Sequence, residues 1–67
     1  MNLTEIGEEI RKRRNMLKIT QPHLAEMAGI SESTLLRIEK GQVNSTIGVV
    51  IKIADILGLE IKLEVKK

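Results

Sequence analysis

The chain of 67 residues contains no cysteine and no phenylalanine, tyrosine or tryptophan, and it has one proline and one histidine. Without cysteine there is neither a disulfide framework nor a thiolate metal site to staple so small a fold. Without aromatics, the core must be assembled from isoleucine, leucine, valine, methionine and alanine. The single histidine, His23, has no cysteine or paired carboxylate placed with it, so it offers no metal constellation and no poised general base. A glycine-rich phosphate loop and a nucleophile motif are missing as well. An enzyme is not expected, and no cofactor or metal is implied. Apolar runs are far too short to span a bilayer, and the first residues lack the apolar stretch of a secretion signal. The expectation is a cytoplasmic protein.

What is present points to one small domain near the lower size limit for a core that is stable alone. Small chains without staples often gain stability by oligomerising. The net charge of +2 and a pI near 9.2 permit a nucleic-acid partner without demanding one.

Periodicity and capping signals predict four helices. Thr4 can cap a first helix marked by Ile6, Ile10 and Leu17. Thr20 caps a short second helix with Gln21 and Pro22 in its first turn, where a missing N–H costs little. This helix buries Leu24, with Ala25, Met27 and Ala28. Gly29 supplies a tight turn, and Ser31 caps a third helix carrying Leu35 and Ile38, which Gly41 ends. Thr46 or Ser45 caps a fourth, with Ile47, Val50, Ile51, Ala54 and Leu57 facing inward. Gly58 is placed as its C-terminal stop.

The informative segment is QPHLAEMAGISESTLLRIEK, residues 21–40. Two short helices joined by a glycine-containing turn make a helix-turn-helix. Ala25 falls where the helices cross, and its small side chain permits close approach. Leu24, Ala28, Ile30, Leu35 and Ile38 close a shared apolar seam, leaving the outer face of the second member free.

With TQ at 20–21, LAE at 24–26, AGIS at 28–31, STL at 33–35, RIE at 37–39 and LG at 57–58, residues 6–58 resemble the lambda-repressor-like (Cro/cI, or XRE) DNA-binding domains. The implied fold class is mainly α: a four-helix helix-turn-helix domain over 1–58, followed by a segment over 59–67 that departs from the family. There the family usually has a fifth helix. That departure, with the run ADILGLEIKL, resembles the HipB-like antitoxins, which repress their own operon and bind a kinase-like toxin.

The resemblance makes the third helix, Ser31–Lys40, the recognition helix, with its N-terminal end in the major groove of double-stranded DNA. Its outward residues there include Glu32, Ser33 and Arg37. The Arg37 fork matches guanine O6 and N7, Ser33 suits a base or a phosphate, and Glu32 can accept from a cytosine amine or simply favour the helix dipole. Thr34 fits a phosphate. Leu36 is out of keeping with this surface; it either meets a thymine methyl or shields the seam. Gln21, at the start of the second helix, is implied as a phosphate clamp, and Lys40, Gln42 and Asn44 resemble the family's second phosphate-contacting group, with Lys40 and Asn44 favoured. In the run Arg11–Arg14, four consecutive residues point in four directions and cannot form one stripe. The resemblance pairs Arg14 with Glu39 as a structural ion pair, leaving Arg11, Lys12 and Arg13 as solvated charges.

The closing residues LGLEIKLEVKK alternate apolar and charged from Leu59 to Lys66, the period of a half-buried strand. Leu59, Ile61, Leu63 and Val65 share one face. A lone strand leaves its backbone groups unpaired and invites another chain, most simply the same strand of a second copy across a twofold axis. Centring the axis on Leu63 opposes Glu60 to Lys66 and Lys62 to Glu64; centring it on Ile61 opposes Glu60 to Lys62. Centring it on Lys62 would oppose Glu60 to Glu64 and is disfavoured. The overall expectation is a homodimeric, nucleoid-associated repressor on a palindromic operator, of the antitoxin type, with a HipA-like kinase toxin as possible partner. The alternatives are a stand-alone phage or restriction-modification control repressor and a protein-interaction module.

Overall fold

In the computed structural model, residues 2–42, 46–62 and 65 are described. Four helices follow in order: α1 (Leu3–Met16), α2 (Gln21–Ala28), α3 (Glu32–Glu39) and α4 (Ile47–Ile56). Among the described residues there is no strand. No helix there is long and apolar enough to cross a membrane.

Each helix begins on a side-chain cap. Asn2, rather than Thr4, caps α1, its carboxamide oxygen accepting from the Glu5 N–H at 2.9 Å. Asn is as strong a cap as Thr, and a Glu three residues on completes the usual pattern, so the helix starts two residues earlier than expected. Thr20, Ser31 and Thr46 cap α2, α3 and α4, each oxygen accepting from the N–H three residues on.

The helix ends also share one solution. After α1, α2, α3 and α4 the chain turns through a left-handed residue: Lys18 (φ 57°), Gly29, Gly41 and Gly58. At Gly58 the two bonds of a Schellman turn are formed, from the Gly58 N–H to Asp55 O and from the Leu59 N–H to Ala54 O. The turn after α1 forms the same pair on a lysine, from Lys18 N–H to Asn15 O and Ile19 N–H to Arg14 O. It swings Ile19, not Leu17, back against the core; Leu17 is left 42 % exposed.

Ile10, Leu24, Ala25, Ala28, Leu35, Ile38, Ile53 and Leu57 form the buried cluster, and Ile6, Ile19, Ile30, Val49, Ile56 and Leu59 pack on its margin. Leu24, Leu35 and Ile53 are completely enclosed. In α2, the buried stripe is Leu24, Ala25 and Ala28, and Met27 lies at its exposed edge. In α4, Val50, Ile53 and Ala54 with Leu57 just beyond make the buried stripe. Ile47 and Ile51, one turn apart, lie to one side of it and are 66 % and 50 % exposed rather than inward-facing. Only Lys52 and Asp55 mark a polar side of α4, and the wide apolar remainder concealed which part the core would take.

The segment after α4 begins at the core and leaves it. Leu59 packs on the cluster's margin, whereas Ile61 and Val65 are exposed. Residues 59–62 and Val65 carry no regular secondary structure within the single chain. Leu63, the remaining member of the expected strand face, lies outside the described residues, as does Asn44.

Candidate nucleic-acid interface

The surface offered by α3 depends on how the helix is held from behind. Leu35 and Ile38 are buried against the cluster, which leaves Glu32, Ser33, Leu36, Arg37 and Lys40 on the outside. Two rows result, at the spacing of one helical turn: Ser33 with Arg37, and Glu32 with Leu36 and Lys40. Glu32, Ser33 and Arg37, the expected base-reading residues, therefore share one exposed face.

Hydroxyls organise the leading end of α3. Ser31 Oγ accepts from the Thr34 N–H at 3.1 Å and donates to Thr34 Oγ1 at 2.8 Å. Ser33 Oγ lies 3.2 Å from the same Ser31 Oγ. Thr34 is half-buried in this arrangement, with its hydroxyl proton still available to an outside acceptor. Glu32, in the first turn, also complements the positive end of the helix.

The far end of α3 is fixed by a buried charge network. Arg14 Nε donates to Glu39 Oε2 at 2.7 Å and its second terminal nitrogen to Glu39 Oε1 at 3.1 Å, while the third nitrogen donates to the Ile19 carbonyl at 2.9 Å. Both side chains are almost fully enclosed, at 10 % and 2 % exposure. Gln21 joins by donating from Nε2 to Glu39 Oε1 at 3.2 Å. One carboxylate thus ties the start of α2, the end of α1 and the end of α3 together. Each fork bond is charge-assisted and geometrically restrictive, so α3 is clamped at its last turn. No buried side-chain polar atom among the described residues lacks a partner.

Two glycines complete the brace. A Cβ on Gly7 would collide with the backbone carbonyls of Ile38 and Glu39, so the glycine lets α1 lie directly on the last turn of α3. A Cβ on Gly41 would stand 2.7 Å from Thr4 Cα, and its φ of 72° is one that side chains resist. Thr4, not needed as a cap, stays exposed while its backbone lies close to Gly41 at this crossing. Sequence reasoning had passed over Gly7; its signal was an isolated glycine inside a helical pattern.

Beside this brace lies an open hollow of about 470 Å³, lined by Thr4, Glu8, Arg11, Gln21, Leu36, Glu39, Lys40 and Gln42. The structure therefore brings Gln21 and Lys40, two expected phosphate contacts, to one depression next to the exposed face of α3, with Arg11 on its wall. Arg13 departs from the expectation of a solvated charge: half-buried, it donates from Nε to the Leu57 carbonyl at 2.8 Å, at the C-terminal end of α4. An arginine there satisfies an orphan carbonyl and suits the negative end of the helix. Lys12 remains at the surface, 3.6 Å from Glu9.

Comparison with known proteins agrees with this arrangement. Curated proteins yield no match to the chain. Among solved structures, the restriction-modification controller protein C.AhdI from Aeromonas hydrophila superposes with a TM-score of 0.79 at 29 % identity, over 87 % of this chain and 88 % of that one. The helix-turn-helix family model matches residues 10–63, most of the chain. With its recognition helix exposed and braced as described, the chain belongs to the XRE, lambda-repressor-like helix-turn-helix family of DNA-binding domains.

Proposed function

We propose that the protein is a cytoplasmic transcriptional repressor that occupies a palindromic operator as a homodimer. The observation that carries this reading is the exposed row of Ser33 and Arg37 on a helix whose last turn is held rigidly by the Arg14–Glu39–Gln21 network. A rigid mount is what base readout requires, because a displaced donor loses its bidentate geometry. In this reading Arg37, Ser33 and Glu32 meet base edges. Gln21, Thr34, Lys40 and Asn44 hold phosphates; Gln21 keeps a second amide proton for that purpose beyond its bond to Glu39.

The second copy is assigned to the exposed apolar side chains of α4 and the tail. Ile47, Ile51, Ile61 and Val65 are exposed, and a mainly apolar hollow of about 300 Å³ opens between α1, α4 and the tail, lined by Ile6, Ile10, Val50, Ala54, Leu59 and Ile61 together with Glu9, Glu60 and Lys62. Pairing of residues 59–67 across a twofold, centred at Ile61 or Leu63, would give Leu59, Ile61, Leu63 and Val65 a partner surface. It would also set two recognition helices to span successive major grooves, about 34–36 Å apart.

Of the two biological settings, a restriction-modification control repressor is favoured by the likeness to the controller protein from Aeromonas hydrophila. The antitoxin setting, with its HipA-like kinase partner, rests on the ADILGLEIKL run and the terminal alternation alone.

Selection from random duplexes, followed by gel shift across a salt series, tests the reading. A palindromic site with salt-dependent affinity is expected, and its half-site preference should relax in Arg37→Ala at a cost of about 1–3 kcal/mol. Absence of salt-sensitive binding to any duplex would overturn it. Removing residues 59–67 should halve the solution mass; a persistent dimer would reject the clasp.

A further inference from the structure

We propose that Leu36 is a specificity-determining residue that reads the C5-methyl group of a thymine in each operator half-site. This rests on α3 being the recognition helix. A single exposed leucine is ordinarily unremarkable; the position of this one is informative. Leu36 is 39 % exposed in the row Glu32–Leu36–Lys40, beside the row Ser33–Arg37, and is the one apolar side chain on that face. The fold does not call for it there. Leu35, fully enclosed, and Ile38, at 5 % exposure, already fill the seam beneath α3.

Its neighbours locate it further. Leu36 lines the hollow that also holds Gln21, Lys40 and Gln42. It thus stands between groups suited to phosphates and the row that faces base edges. Along the major groove the thymine methyl projects near the backbone of its own strand, on the boundary between phosphates and hydrogen-bonding edges. It is also the one apolar group that the four base pairs display in that groove. A leucine flanked by Ser33, Arg37 and Lys40 complements a thymine next to a position read by hydrogen bonds. Opposite a cytosine, it would face a bare C5–H with no methyl to cover.

Replacing each thymine of the selected operator in turn by deoxyuridine removes the methyl and leaves every hydrogen-bonding group in place. Wild-type protein should lose affinity at one position per half-site by about fourfold, the factor expected for burying one methyl-sized group. Leu36→Ala should be insensitive to that same replacement while melting at an unchanged temperature. The proposal is overturned if no thymine position matters to the wild type. It is equally overturned if Leu36→Ala stays sensitive to the same replacement, or if that variant loses stability with its thymine preference intact, which would make Leu36 a seam shield. The scan on wild-type protein stands without any variant. Failure of the wild type to bind any duplex would instead reject the DNA-binding reading itself, a distinct result.

Discussion

Arg13 and Arg14 are neighbours on one helix, yet they reach the last turns of two different helices. Arg14 reaches the last turn of α3, where it meets a buried carboxylate in a two-pronged bond. Arg13 reaches the last turn of α4, where it meets a single backbone carbonyl at the half-exposed edge. Around Arg14 the protein is polar and closed: Glu39, Gln21 and the Ile19 carbonyl are all engaged, and Gly7 removes the side chain that would hold α1 away. Arg13 is half-buried, and the helix whose end it meets carries Ile47 and Ile51 uncovered on its outer side. The first region fixes a helix whose outer surface stays exposed and, in the proposed reading, meets DNA. The second presents the kind of surface that only another apolar surface satisfies.

Breaking the Arg14 region should do the most damage. Glu39→Ala leaves a nearly enclosed guanidinium with only the Ile19 carbonyl, and a loss of about 3–5 kcal/mol in urea unfolding is expected. Gly7→Val forces a side chain into the Ile38 and Glu39 carbonyls, and a loss of about 3 kcal/mol is expected by the same measurement. A stability within about 0.5 kcal/mol of wild type for either would show that the brace is dispensable. By contrast, Arg13→Ala removes one charge-assisted bond that water can partly replace, and about 1.5 kcal/mol should be lost. An effect as large as that of Glu39→Ala would erase the contrast between the two arginines. Smallest for the fold is Ile51→Ser, which exchanges a half-exposed side chain and should alter monomer unfolding by no more than about 0.5 kcal/mol. Its effect should appear instead as weaker self-association in sedimentation; unchanged association would remove α4 from the contact between copies.

Much of this architecture was legible from residue order because local signals agreed with one another. Thr20, Ser31 and Thr46 cap where a side-chain oxygen precedes an apolar period, and Gly29, Gly41 and Gly58 stand where the chain must turn left-handed. The helix-turn-helix followed from Ala25 and Gly29 between the apolar marks of α2 and α3. Some misplaced residues, such as Thr4 and Leu17, lost to a competing local signal; others were set by a partner distant in sequence. Ile47 and Ile51 have the same hydropathy as Ile53, so only the packing of α4 on α2 could separate them. Leu17 fits the period of α1, but a left-handed lysine one residue later hands its place to Ile19. Arg13 looks like any charge in a basic run until the C-terminal end of α4 arrives beside it.

By itself, then, the sequence determined the four helices, the ends of all but α1 and the residue types on the face of α3, because capping, period and turn chemistry act within a few residues. Tertiary structure decided that Gly7 admits α1 to the back of α3, that Arg13 is drawn to the end of α4 and which apolar face of α4 stays open. Those outcomes depend on close approach and desolvation between segments tens of residues apart, and no local pattern encodes them.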